Sequence, residues 1–283
     1  MAPRDNFAPP SPTANLSYNS QSFMPNQAQN RAIAPELSTV VQKLRHARSV
    51  LVLTGAGISA ESNVPTFRGE GGWWRSLNPA DLATYSAFQR DPRLVWEWYD
   101  YRRGLIANAS PNLAHRALAG LEGSAREVFI ITQNVDDLHE SAGSHRVVHI
   151  HGSIWRVTCL AEGKTYEDRR VPLPGLPPTC ACGALLRPDV VWIGESLPAA
   201  SRAQVEDYFH ESWIDVALVI GTEATFSYIG DWALRAKRSG ALLVEINPNP
   251  TVLTSYVDVK LQGKAGAILG EINKRLSLDP PGI

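Results

Sequence analysis

Five short apolar runs constrain this chain more than any other feature: Ser49–Leu53, Val128–Ile131, Val147–Ile150, Val216–Ile220 and Leu242–Ile246. Each is nearly unbroken rather than alternating, the pattern of a strand covered on both faces. Helical stretches separate most of them, so the expected class is α/β, a parallel sheet with helices on both sides. Leu37, Val40, Val41 and Leu44 recur at helical spacing just ahead of the first run, which places a helix there. With 283 residues, 44% of them hydrophobic, the chain can bury a large domain together with a smaller module. A formal net charge of -1 argues against direct nucleic-acid binding driven by bulk charge, and no apolar run approaches the length of a membrane span.

The ends and interruptions of the pattern divide the chain. Residues 1–35 are rich in Pro, Ser, Asn, Gln and Ala, with Arg4, Asp5 and Arg31 as their only charges; they offer little to bury and are expected to form a disordered tail. They are also too poor in Arg for a typical mitochondrial transit peptide. Residues 36–279 form the expected folded domain. Within it, Gly69–Pro111, dense in Trp and Tyr, and Trp155–Pro188, holding Cys159, Cys180 and Cys182, break the strand–helix rhythm and are expected to make a small module beside the sheet. Three cysteines do not build a disulfide framework, and no secretory signal precedes the first strand. An intracellular, reducing setting follows as the expectation, without choosing among cytoplasm, nucleus and mitochondrion.

Chemistry enters where the first run ends. Thr54-Gly-Ala-Gly-Ile-Ser-Ala60 is a strand, a glycine loop and a helix start, the order in which backbone N–H groups approach a pyrophosphate. Taken alone, the same residues also fit a plain tight turn. The acidic residue that a dehydrogenase places about 20 positions on has no good counterpart, since Glu70 comes early and Asp81 late; hydride transfer loses ground.

The loop continues as Gly55-Ala-Gly-Ile-Ser-Ala-Glu-Ser-Asn-Val-Pro-Thr-Phe-Arg-Gly69, followed downstream by Thr132-Gln-Asn-Val-Asp-Asp-Leu-His139 and Ile150-His-Gly-Ser153. In these three motifs, and in their order and spacing, the chain resembles the sirtuin family of NAD-dependent protein deacylases. The resemblance implies a Rossmann-like domain carrying a small inserted module, part helical and part a degenerate zinc ribbon. It implies that NAD is consumed as co-substrate, with nicotinamide released and the acyl group of a protein lysine moved onto ADP-ribose. Asn134 and Asp136 would then hold the ribose and carboxamide, Gln133 would orient the ribose, and Phe67 with Arg68 would cover the cofactor against water. Gly55, Ala56, Gly57, Ser59 and Ala60 would line the cradle, with Gly221, Thr222, Asn247 and Ala265 serving the adenosine half. His151 would act as general base, a task suited to a group that titrates near neutrality. Read without the resemblance, His151 and His149 both fit a structural role, and Asn247 before Pro248 fits a turn.

Asp91-Pro92 is a good helix start, opening a helix with Tyr99 and Arg102 on one face. Such a stripe also fits a buried core edge with Arg snorkelling. By resemblance, Tyr99 and Arg102, with a small Ala83, mark the branch that removes succinyl, malonyl and glutaryl groups, where Arg grips the distal carboxylate. Four departures bear on the cofactor and the metal. Asn63 stands where glycine is usual, Glu223 where serine is usual, and Ala265 where that branch often has cysteine. The first cysteine pair is reduced to Cys159 with Glu162 three residues on, so the expectation is a weakened or absent zinc site, with Trp155, Leu173, Leu176 and the prolines holding the module. Competing expectations are a degenerate sirtuin that binds NAD, ADP-ribose or an acylated lysine without turnover, and a mono-ADP-ribosyltransferase.

Overall fold

The computed structural model describes residues 27–66, 77–122 and 126–278. In chain order its elements are α1 (Gln27–His46), β1 (Ser49–Thr54), two 3-10 turns (Ala56–Ile58 and Ala60–Ser62), α2 (Pro79–Leu82), α3 (Tyr85–Arg90), α4 (Pro92–Ala107), α5 (Leu113–Glu122), β2 (Glu127–Thr132), α6 (Leu138–Ser141), β3 (Val147–His149), β4 (Gly152–Cys159), β5 (Thr165–Glu167), β6 (Leu186–Val190), α7 (Ala199–Glu211), β7 (Val216–Ile220), α8 (Ser227–Arg238), β8 (Leu242–Asn247), β9 (Val259–Gln262) and α9 (Ala265–Leu278). Two features differ from the sequence reading. The first helix begins at Gln27, inside the stretch assigned to the tail, and β9 forms a sixth strand that its short alternating pattern did not announce.

All pairings in the main sheet are parallel, in the order β3-β2-β1-β7-β8-β9. Alternate residues of β1 explain why its sequence is apolar throughout. Val50 and Val52 enter one core with Val40, Val41 and Leu44 of α1 and with residues of α5 and α9. Leu51 and Leu53 enter a second core with Val205 and Tyr208 of α7 and Ile229 and Trp232 of α8. A helical layer therefore covers each face. The strand order reverses direction between β1 and β7, and in open α/β sheets ligands bind at the carboxyl ends of the strands at that switch point.

The two interrupting segments share one core. Leu82, Phe88, Val95, Trp96 and Trp98 of the helices α2–α4 pack with Ile154, Trp155, Val157 and Leu173, around an antiparallel sheet ordered β5-β4-β6. Asp91 caps α4 by accepting from the Leu94 amide at 2.9 Å, with Pro92 at the first helical position, as its sequence announces. Arg103, wholly buried on α4, pairs with Asp168 beyond β5 at 3.3 Å, a bond that ties the two segments together. Breaking such a buried pair from one side costs about 3–5 kcal/mol. No described helix is long and apolar enough to cross a membrane.

Candidate active site

The ends of β1 and β7 touch backbone to backbone. Gly55 and Gly57 donate their amides to the carbonyls of Ile220 and Gly221 at 3.1 and 2.8 Å. A Cβ on Gly55 would stand 2.7 Å from the Thr222 Cβ, and one on Gly57 2.8 Å from the Gly221 Cα. Gly221 itself has φ +59, with its own missing Cβ position only 2.5 Å from the Ile58 nitrogen. The two glycine amides are thus spent within the protein, and what these glycines supply is close approach of two loops. The helix start expected after the loop is instead the two 3-10 turns, ended by Asn63 at φ 61, a left-handed conformation that asparagine tolerates better than most residues.

Around this contact the structure gathers most of the residues singled out in the sequence. Ser59 donates to the Asp136 Oδ2 at 3.0 Å and accepts from the Asn134 Nδ2 at 3.0 Å. All three side chains are buried, and burial holds the Asp136 carboxyl above its usual range against the pull of the Leu138 amide and Ser59. Gln133 donates to the Thr222 hydroxyl at 2.8 Å, and Asn247 donates to the Thr222 carbonyl at 2.9 Å, so the ends of β2, β7 and β8 are joined. Ala56 and Ala60 open the two 3-10 turns, and Ala265 opens α9. That helix is fastened to the same loop by Glu61, whose carboxylate accepts the Gly266 amide at 2.7 Å, a favourable place for negative charge. Glu223 is exposed beside Thr222. Phe67 and Arg68 lie outside the described residues.

Two histidines, His149 and His151, lie at the end of β3, and their partners separate them. Each Nδ1 faces a carbonyl, that of Asn134 for His149 and of Gln133 for His151, both at 3.0 Å. A carbonyl only accepts, so each Nδ1 carries the proton. His149 then places Nε2 2.6 Å from the Glu140 carboxylate; burial alone would depress its pKa, but Glu140 outweighs burial and holds it up. Both ring nitrogens of His149 are thus occupied. Burial pushes His151 down to about 4, leaving it neutral with a lone pair on Nε2, 2.6 Å from the Tyr228 hydroxyl. Burial raises that phenol to about 12, so it keeps its proton and donates. Tyr228 was not foreseen: the segment after Gly221-Thr222 gives no local sign that its side chain reaches a residue 77 positions away.

The small module faces this edge with Tyr99 and Arg102. Tyr99 is 2% exposed, and its hydroxyl accepts from the Trp192 indole at 2.9 Å. Arg102 lies over the Trp98 ring at 5.1 Å; burial lowers its pKa, while Tyr99 and Asp136 lie near enough to act on its charge. Ala83 is buried at the end of α2, and its carbonyl accepts the Ile193 amide at 2.9 Å. Trp96 and Trp98 are core, as the buried-stripe reading expects, and the Arg102 guanidinium lies near enough to Asp136 for their charges to interact.

The thiol ligand atoms of Cys159, Cys180 and Cys182 lie within 4.8 Å of one another, and the Cys159 and Cys182 sulfurs are 3.6 Å apart. That spacing matches the roughly 3.8 Å edge of a tetrahedron with Zn–S bonds of about 2.3 Å. Glu162 does not join them; it accepts from Tyr166 at 3.2 Å and pairs with Lys164 at 3.3 Å. The three thiols fit three corners of a structural zinc that would cross-link the module away from the reaction, and the carboxylate weighed as fourth ligand is engaged elsewhere.

Comparison with known proteins agrees with this architecture. The model of the Sir2 family matches residues 55–227, from the glycine cradle to the start of α8. The chain is 44% identical over 225 residues to an NAD-dependent protein deacylase of Aquifex aeolicus, covering 79% of this chain and 93% of that protein. It is 49% identical over 243 residues to NAD-dependent protein deacylase 2 of Pyrobaculum aerophilum, covering 84% and 96%. Among solved structures, a Sir2 homologue in complex with NAD superposes with a TM-score of 0.80 at 40% identity, covering 86% of this chain and 95% of the other. A Sir2 protein bound to acetylated peptide does so with 0.73 at 26% identity, covering 86% and 98%. The chain belongs to the Sir2 family.

Proposed function

We propose that this protein is an NAD-dependent protein-lysine deacylase whose pocket favours short acyl groups ending in a carboxylate, succinyl, malonyl and glutaryl, over acetyl. Relatives named NAD-dependent protein deacylase, matched over more than nine-tenths of their length, support the activity at its general level. The cradle fits a dinucleotide on its own terms: it sits at the switch point of the sheet, is built on glycines that let two loops come into contact, and is lined by buried Ser59, Asn134, Asp136, Thr222 and Asn247. NAD held there by Ser59, Asn134, Asp136, Thr222 and Asn247 would supply the activated ribose carbon to which the acyl group is transferred. Everything else falls to the chain.

Ser59, Asn134 and Asp136, already bonded to one another, give a fixed polar wall, so orientation is bought before the ligand arrives. Gln133 fixes His151 through its carbonyl and reaches Thr222 through its amide, which makes one residue register the base against the adenosine half. His151 presents a neutral Nε2, the form that takes a proton from a ribose hydroxyl. For that transfer the Tyr228 hydroxyl must give up Nε2.

The acyl preference is carried by one observation, the half-buried Arg102 one helical turn from the buried Tyr99 hydroxyl beside a small Ala83. A cation partly stripped of water gains most from a carboxylate it can grip with two N–H bonds. Purified protein, NAD and matched acetyl-, malonyl-, succinyl- and glutaryl-lysine peptides test it. The expected kcat/KM for succinyl exceeds that for acetyl at least about tenfold, the value of one charged hydrogen bond, and Arg102→Met removes the difference. A preference for acetyl, or a preference untouched in Arg102→Met, sinks the acyl reading. Nicotinamide release with no peptide deacylated, and ADP-ribose found on an acceptor protein, would point to ADP-ribosyl transfer.

A further inference from the structure

Trp192 lies just beyond β6, 1% exposed, and the reaction as described does not use it. An indole N–H can only donate, and it donates to the Tyr99 oxygen at 2.9 Å. Burial raises the Tyr99 phenol to about 12, so the hydroxyl keeps its own hydrogen. With one side of that oxygen taken by the indole, the hydrogen is directed away from Trp192. The indole itself cannot turn. The Arg187 guanidinium lies 3.8 Å from its ring centre, and Arg187 forks onto Glu195 with bonds of 2.7 and 2.8 Å. Glu195 accepts the backbone amide of Trp192 at 2.8 Å, and Phe88 packs on the ring at 5.2 Å. The next residue, Ile193, donates its amide to the Ala83 carbonyl, so the segment that fixes Tyr99 also fixes the small residue of the pocket.

We infer that Trp192 is a specificity-determining positioning residue: its indole N–H aims the Tyr99 hydroxyl at the distal carboxylate of a succinyl-type acyl group. The inference rests on the acyl reading above and adds a residue to it. Without the indole donor, the hydroxyl of Tyr99 is free to rotate, and part of the bond to the carboxylate is lost. A purely structural Trp192 makes a different forecast, because lost packing would weaken turnover of every acyl group alike.

Trp192→Phe keeps an aromatic ring and removes the donor. Kinetics with succinyl- and acetyl-lysine peptides are compared for wild type, Trp192→Phe, Tyr99→Phe and the double variant, each checked for folding by its thermal transition. The expected result is a succinyl KM raised about threefold to tenfold, the worth of one neutral hydrogen bond, with kcat little changed and the succinyl-to-acetyl ratio falling by the same factor. Adding Trp192→Phe to Tyr99→Phe should cost nothing further. Equal losses on both peptides, or additive losses in the double variant, overturn the inference. Should Trp192→Phe fail to fold, Tyr99→Phe alone decides: an unchanged succinyl KM means the hydroxyl meets no carboxylate, and the inference falls. A wild type that prefers acetyl removes the acyl reading and this inference together, whereas a succinyl preference with additive losses removes this inference alone.

Discussion

The strand-end edge of the main sheet and the small module are made of different materials. At the edge, two loops meet through backbone, with glycines whose missing Cβ atoms would collide at 2.5–2.8 Å, and short polar side chains bond one another across strand ends. In the module, the contacts run through long side chains: Arg102 over Trp98, Trp192 held by Arg187, and Tyr99 held by Trp192. Backbone contact leaves no room for substitution, while side-chain contact can be retuned one group at a time. The difference teaches that the strand-end edge tolerates little change in its residues, whereas the small module can change its side chains without moving the backbone.

The largest expected effect breaks the comparison if it is absent. His151→Ala should lower deacylation turnover by about 10²–10⁴-fold, the usual contribution of a general base, read by product formation with saturating NAD and acyl peptide. Full turnover in that variant would move the base elsewhere, with Tyr228 as the neighbouring group to examine.

Acidification should separate the two regions next. Burial lowers the pKa of His115 to about 4 and that of His139 well below its ordinary 6.5, and their rings lie 5.0 Å apart beneath the cradle, His139 within 3.0 Å of the Thr54 hydroxyl. A group depressed by folding takes up its proton first in the unfolded chain. The stability these two rings contribute is therefore complete above about pH 6.5 and declines as pH falls toward 4, by about 3 kcal/mol for His115 alone. Residues 77–111 and 155–190 contain no histidine. Hydrogen exchange at pH 7 and pH 5 should thus show the cradle loosening before the acyl module; uniform loosening would show that the two regions open as one unit.

The smallest effect sharpens the contrast. Gly221→Ala combines a positive φ with a clash against the Ile58 amide, and should cost about 1–3 kcal/mol, measured as a lower urea midpoint, with weakened NAD binding. Arg102→Met, on the module side, should leave NAD binding within about twofold and alter acyl preference only. If Gly221→Ala proves harmless, closeness of backbone is not what builds the edge.

Much of this was legible in the chain. Five of the six strands of the main sheet appear as apolar runs because burial on both faces leaves few polar positions, most of them at the strand ends, to confuse the pattern. The α4 start was legible because Asp91-Pro92 is a local device, and the glycine loop because close approach demands glycine. β9 escaped because Val259 and Leu261 alternate with Lys260 and Gln262, too short a pattern to stand out from a loop. The motifs placed Gln133, Asn134 and Asp136 together on one segment after β2, but not what each would touch.

What the sequence by itself determined, then, is whatever depends on neighbours a few positions away: strand burial, the helix cap, the glycine loop and the supply of polar groups after β2. What only the tertiary structure decided is pairing across long separations. Glu140 occupies His149, Tyr228 rather than a carboxylate meets His151, and Trp192 reaches across 93 positions to Tyr99. Three cysteines separated by unequal spacings meet in one cluster for the same reason. The charge state of a histidine or the direction of a hydroxyl is set by the atoms within about 3 Å of it, and those atoms are chosen by packing.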